Sequence, residues 1–230
     1  ELKGDGDFRS IECVKYLKAA DIVVTNPPFS LFKELVSLLV QLRKQYLLVG
    51  NQNALTYKEI FPLIQNNKAW TGYQFGEMKF RVPSDSEPRA TRYWVDESGQ
   101  KWRSLGNAMW LTNLDIEKRH EFITLTQHYN SSDFPTYDNY NAINVKKVVD
   151  IPMDYSGIMG VPITFMDKYC PEQFEIVWQA SGNTRASAPK EVLETLGYCI
   201  HPEDRGGCSV VNGKRTYGRV LIRRRKEVQK

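Results

Sequence analysis

The stretch Asp21-Ile22-Val23-Val24-Thr25-Asn26-Pro27-Pro28-Phe29 decides the fold. Asp21 to Thr25 read as a buried strand, and the prolines that follow stop it because neither carries an N–H to continue a ladder. Upstream, Ile11, Val14, Leu17 and Ala20 recur at helical spacing behind Ser10, a residue type that caps helix starts. Downstream, Leu31, Leu35, Leu38, Leu39 and Leu42 give a second helical pattern from Ser30 to Lys44, and Tyr46-Leu47-Leu48-Val49 reads as a strand ended by Gly50 as a breaker. Strand, helix and strand in this order predict a βαβ unit, two parallel strands joined by a right-handed crossover helix. Sheets of this kind bind ligands at the carboxyl ends of their strands, where Thr25, Asn26 and Gly50 fall.

Beyond Lys58 the pattern changes. Short strand-like segments, Met78 to Val82, Arg92 to Val95, Lys101 to Arg103 and Ala108 to Thr112, alternate with turn-rich stretches, and Asp96-Glu97-Ser98-Gly99 predicts a hairpin. A soft boundary falls near Asp115, dividing the chain into 1–115 and 116–230. After it, a short charged helix is expected from Ile116 to Gln127. A loop-dominated region rich in Tyr, Asn, Asp and Pro follows, with Tyr137-Asp138-Asn139-Tyr140-Asn141 as its densest part.

Composition narrows the class. The 230 residues are 41% hydrophobic, enough for an ordinary core, and the longest apolar run, from Leu31 to Leu42, is broken by Lys33, Glu34, Ser37 and Gln41, too often for a membrane span. The first residues are acidic and polar and do not begin with Met, so no secretory signal is read there and the chain reads as a piece of something longer. The net charge of +4 is uneven: Gly213 to Lys230 carries eight Lys or Arg against Glu227, a net of +7, which leaves −3 on the rest. The run Arg223-Arg224-Arg225-Lys226 suits a polyanion such as nucleic acid, or else a solvated basic tail. Cys13, Cys170, Cys199 and Cys208 are widely spaced, so reduced thiols are expected. No metal site is expected: there is no close C-x-x-C pair, and H-E-x-x-H beginning at His120 would need its second histidine at Thr124.

Asn26-Pro27-Pro28-Phe29, directly after a strand and before a helix, is the informative tetrapeptide. By composition it would arise by chance in such a chain on the order of once in a thousand. It resembles the catalytic motif of amino-group DNA methyltransferases, an Asp, Asn or Ser followed by Pro-Pro and an aromatic. The resemblance extends through GDGDFRS at Gly4 to Ser10, DIVVTNPPFSLFKE at Asp21 to Glu34, GNQNALTYKEIFPLI at Gly50 to Ile64 and PMDYSGIMGVPITFMDKY at Pro152 to Tyr169, with RVLIRRR near the end in keeping. Together these are similar to N6-adenine DNA methyltransferases of the EcoRI modification subfamily.

The resemblance implies an α/β fold: the later portion of a doubly wound, Rossmann-like methyltransferase sheet in 1–115, then an irregular α+β target-recognition region in 116–230. It implies S-adenosyl-L-methionine as cofactor and double-stranded DNA as substrate. It also implies a cytoplasmic, nucleoid-associated protein of bacterial or phage type and a restriction–modification system with a cognate endonuclease. Asn26 and the Pro27 carbonyl would accept from the adenine amino group, Pro28 would stiffen the turn, and Phe29 would stack on a base turned out of the duplex. Asp7 and Phe8 match the acidic-then-apolar pair that holds the cofactor's adenine, with Asp5 as a rival. Phe32 reads as core or as a cofactor contact, and Trp110 as a sheet residue or a second wall of the base pocket. Lys118, Arg119, Arg223, Arg224 and Arg225 are the expected DNA contacts. The glycine-rich turn that wraps the methionine end in this family is expected upstream of Asp7 and is not in these residues. A DNA-binding remnant therefore stands as one alternative, and because the short motif alone does not settle the acceptor, an enzyme acting on cytosine, RNA or a protein glutamine stands as another.

Overall fold

In a computed structural model the described residues are 2–225; Lys226, Glu227 and Lys230 of the basic segment lie outside them. The chain divides into two compact units, Glu1–Asp115 and Ile116–Lys230. Both mix helix and strand, so the fold is α/β in the broad sense.

In the first unit, α1 (Ile11–Ala19) starts where Ser10 accepts a bond from the Cys13 N–H, and it leads into β1 (Ile22–Thr25). A 3-10 turn over Phe29–Leu31 runs into α2 (Phe32–Gln41), which is followed by β2 (Gln45–Asn51). β1 and β2 are parallel, with Thr25 opposite Leu48, so the expected βαβ unit is present. Then come α3 (Phe61–Gln65), β3 (Trp70–Arg81), β4 (Tyr93–Val95) and β5 (Lys101–Thr112). The sheet runs β1-β2-β5-β3 with β4 on β5, and every pairing after β1–β2 is antiparallel. Asn113 clamps the junction: its side chain accepts from the Tyr46 N–H at 2.8 Å and donates to the Lys44 carbonyl at 2.9 Å.

Three expectations for this unit change. Gly50 does not end β2 but lies inside it, because the ring of the buried Phe32 occupies the space a side chain would need: a Cβ on Gly50 would come 2.6 Å from that ring. The segments Lys101 to Arg103 and Ala108 to Thr112 are one continuous strand, and of Met78 to Val82 the residues through Arg81 are the end of a strand that begins at Trp70. The register slips twice along β3, between Thr71 and Phe75 and between Gly76 and Met78, which breaks the alternation that reveals a strand in sequence. The hairpin around Gly99 is present, with Gly99 at φ +80° and the Asp96 N–H donating to the Gln100 carbonyl at 3.0 Å.

In the second unit, β6 (Ala142–Asn144) pairs in parallel with β7 (Ile158–Pro162). β8 (Phe174–Ala180) is followed by α4 (Thr184–Ser187), α5 (Lys190–Thr195) and a small antiparallel pair, β9 (Val210–Val211) and β10 (Lys214–Arg215). β11 (Arg219–Arg224) lies between β7 and β8, antiparallel to both, and buries Val220, Leu221 and Ile222. The basic segment is therefore not a tail through Arg224 but an inner strand of this sheet. The charged helix expected from Ile116 to Gln127 reduces to a 3-10 turn, Glu117–His120. Its backbone finds other partners: the Gln173 side-chain amide accepts from the Ile123 N–H at 2.7 Å and donates to the Ile123 carbonyl at 2.8 Å. Gln127 forms an isolated parallel bridge with Pro152. Among the described residues no helix is long and apolar enough to cross a membrane.

Gly50→Ala should lower stability by about 1–3 kcal/mol, the usual cost of forcing an extra methyl into a packed interior. Phe32→Leu in the same chain should recover part of that deficit. Thermal melts of the two single variants and the double variant measure it, and additive effects would show that Phe32 and Gly50 are not in contact.

Candidate functional site

Asn26 follows the last residue of β1, at the carboxyl end of the parallel pair, where β2 runs on through Gly50 and Asn51. Asn26 is exposed, and its side-chain amide has no hydrogen-bond partner among the described residues. Pro27 is buried; among the described residues its carbonyl accepts no backbone hydrogen bond. Pro28 (φ −54°, ψ 130°) precedes the 3-10 turn and accepts from the Leu31 N–H at 2.9 Å. Phe29 opens that turn and is half-buried. The tetrapeptide thus joins a fixed strand end to a fixed helix start and leaves the Asn26 amide without a partner and the Pro27 carbonyl without a backbone donor among the described residues.

Phe32, three residues further on, is a core residue at 1% exposure, lying on Gly50. Trp110 is half-buried in β5, opposite Val49, and its Cβ would stand 2.9 Å from a Cβ built on Gly72, so it packs closely on that strand.

The loop before α1 is tied to the same region through Arg9, which the sequence reading passed over. Arg9 donates to both Asp7 oxygens through its guanidinium (2.6–3.1 Å) and to one of them through its backbone N–H (2.8 Å), and it pairs with Glu34 of α2 at 3.1 Å. Glu34 lies five residues after Phe29, so the ion pair links the segment carrying Asp7 to the helix that leaves the tetrapeptide. These donors take up the acceptor positions of the Asp7 carboxylate. Hydrogen bonds from the Arg9 side chain, then from its backbone N–H, lower the Asp7 pKa to about 2. Asp5 accepts one bond, from the Asp7 N–H at 3.0 Å on Oδ1, and is otherwise exposed. Phe8 is half-buried and lines an open groove of about 470 Å³ with Leu2, Gly6, Cys13, Tyr16 and Leu17. Its walls are mostly apolar and suit a flat ring.

Of the cations expected to contact DNA, Lys118, Arg223, Arg224 and Arg225 have partners within the second unit. Lys118 is half-buried and ion-paired with Asp167, and Arg119 beside it in the 3-10 turn is half-buried too. Arg223 pairs with Glu175 at 3.0 Å, Arg224 donates to the Met153 carbonyl, and Arg225 donates to the Pro171 carbonyl at 2.7 Å. Among the described residues no group of three His, Cys, Asp or Glu is arranged to hold a metal ion.

Over residues 1–225 the chain matches the family described as adenine-specific methyltransferase EcoRI. It is 44% identical over 227 residues to the type II methyltransferase M.EcoRI of Escherichia coli, across 97% of this chain and 63% of that protein. It is 37% identical over 233 residues to the type II methyltransferase M.MpnI of Mycoplasma pneumoniae, across 99% of this chain and 71% of that protein. The chain therefore spans a little under two thirds of the Escherichia coli relative. No solved structure matches it.

If Arg9 is what holds Asp7 ionised, Arg9→Gln should return the Asp7 pKa from about 2 toward 3.8. The sign follows from the depression: the ion pair stabilises the fold above pH 3.8, and that stabilisation disappears as pH falls through about 2. Carboxyl-carbon NMR titration reads it, and an unchanged Asp7 titration in the variant would remove Arg9 as the cause.

Proposed function

The chain belongs to the EcoRI family of adenine-specific methyltransferases, and from that premise we propose that it is the target-base half of a site-specific DNA adenine-N6 methyltransferase. In this reading residues 1–115 are the later portion of a doubly wound, Rossmann-like catalytic sheet, and residues 116–230 read the target sequence. Exposed Ile22 and Val24 on β1 support the sheet assignment, because parallel strands are ordinarily covered on both faces. The type II designation of the relatives supports a place in a restriction–modification system.

The observation that carries the reading is the pair of open acceptors, the Asn26 amide oxygen and the Pro27 carbonyl, beside Phe29 at the carboxyl end of parallel strands. The amino nitrogen of adenine shares its lone pair with the ring and is a poor nucleophile. Two acceptors held against its two hydrogens favour a pyramidal nitrogen with its lone pair directed outward, and neither acceptor has to ionise. Such positioning is worth several kcal/mol when the geometry is fixed in advance. Turning the base out of the duplex costs about a few kcal/mol, which stacking on Phe29 offsets in part.

S-adenosyl-L-methionine, when bound, would supply an electrophilic methyl group on a sulfonium, while Asn26 and the Pro27 carbonyl would hold and orient the amino nitrogen that receives it. The groove beside Phe8 fits the cofactor's adenine, with the Phe8 ring as its wall. Of the two carboxylates Asp5 keeps more open acceptor capacity, and Asp7 would have to share its oxygens with Arg9.

In the full-length protein, Asn26→Ala should cut single-turnover methylation by roughly two orders of magnitude or more while DNA affinity changes little, as expected when one preorganised polar interaction of about 3 kcal/mol is removed. Phe29→Ala removes stacking of about 1–3 kcal/mol. A fluorescent adenine analogue at the target position should then report a smaller extruded population. Near-normal methylation by Asn26→Ala, or no extrusion in the unmodified protein, would end the assignment of this turn as a base-flipping site.

A further inference from the structure

The outer halves of β3 and β5, with β4, form a three-stranded arm whose one face carries an ordered set of cations and indoles. Arg81, Trp102 and Trp94 stand in one register row across β3, β5 and β4, and Lys79 stands opposite Ser104 in the row two residues along. The two indoles are stacked with centroids 6.2 Å apart and planes 6° from parallel. The Lys79 Nζ lies 5.8 Å from the Trp94 ring centre, and the Arg81 guanidinium carbon 5.4 Å from the Trp102 ring centre. Trp102 is locked in place because its Nε1–H donates to Asp96 at 2.8 Å. The Arg92 guanidinium lies over Gly106, two residues beyond Ser104.

We propose that this face binds the sugar–phosphate backbone of duplex DNA. Lys79, Arg81 and Arg92 are exposed and make no ion pair among the described residues, in contrast to Lys118 and Arg223. Ser104, only 8% exposed, has a hydroxyl with no partner among the described residues and stands in one row with Lys79 on one side and Arg92 on the other. Carboxylates are few on this surface: Asp85, Glu87 and Glu97 lie in the loops between strands, Asp96 is taken up by the Trp102 Nε1–H and by the backbone of its own hairpin, and Glu77 is the acidic residue of the paired strands in this arm. The indoles hold the Lys79 and Arg81 side chains over their faces, so less side-chain freedom is given up when a phosphate arrives. A protein partner would seek uncovered apolar rings, whereas here cations already cover them and face solvent. The chemistry that complements several oriented, unneutralised cations is a row of phosphates.

The inference rests on the reading of the chain as acting on DNA, and the test separates the two. The full-length protein is titrated with a short duplex of random sequence over about 50 to 200 mM salt, comparing the unmodified protein, Lys79→Gln/Arg81→Gln, and the charge-preserving Lys79→Arg/Arg81→Lys. The neutral variant should bind about tenfold or more weakly, and its plot of log affinity against log salt should be shallower by about 0.9 for each phosphate that the side chains no longer neutralise. The charge-preserving variant should bind like the unmodified protein. In the unmodified protein Lys79 should also be shielded from an acylating reagent when the duplex is bound, a readout that needs no variant to fold. Normal binding with an unchanged slope in the neutral variant, or equal acylation of Lys79 with and without duplex, overturns the arm's role and leaves the enzyme assignment standing. No duplex binding by the unmodified protein overturns both.

Discussion

Two of the four residues in the central turn are prolines, and a proline cannot donate a backbone hydrogen bond, so Asn26-Pro27-Pro28-Phe29 has to be held by what flanks it. Upstream it is held by the β1–β2 ladder, which ends with Thr25 opposite Leu48. Downstream it is held by the seating of α2, and that depends on a contact at its first residue: the buried Phe32 ring lies where Gly50 lacks a side chain. The absence of one methyl group lets the helix approach the strand closely enough to fix the turn between them. Arg9, bridging Asp7 and Glu34, then attaches the preceding loop to the same helix. The candidate site thus depends on a packing contact and one ion-pair bridge, with few hydrogen bonds of its own.

The βαβ unit was legible because its signals are local: a run of β-branched residues, two prolines, and leucines at helical spacing. Gly50 was visible but misjudged, since a glycine that ends a strand and one that admits a neighbouring ring look alike in sequence. β3 and β5 look like fragments in sequence because bulges and the glycines Gly76 and Gly106 interrupt their alternation. The segment after Ile116 carries helix-forming charged residues, yet it lacks an apolar stripe, and the Gln173 amide, fifty residues away, satisfies the backbone of Ile123. No local pattern announces such a partner.

Charge along the chain does not report the environment of each cation. The densest basic run contains Arg223, Arg224 and Arg225, which adjoin the buried Val220 to Ile222 of an inner strand and have their guanidinium groups on Glu175 and on carbonyls. Lys79 and Arg81 are inconspicuous along the chain because Met78, Phe80 and Val82 separate them from other cations, whereas the sheet register gathers them with Trp94 and Trp102 on one face. Clustering along the chain measures neither exposure nor neutralisation. What decides whether a cation is open to a polyanion is whether a carboxylate or carbonyl of the same fold has already reached it.

The proposed catalytic turn uses groups that do not titrate. An amide oxygen and a peptide carbonyl keep the same acceptor strength across the whole range in which DNA and protein are intact. The nearby ionisable pair is also settled far from neutrality, since Arg9 holds Asp7 near 2. A site built this way gains nothing from tuning a general base. Its rate depends on how rigidly two acceptors are held against an incoming amino group, so the residues that matter most after Asn26 are those that fix the turn. By that argument Phe32 and Gly50, which need touch neither base nor cofactor, constrain the chemistry as closely as Phe29 does.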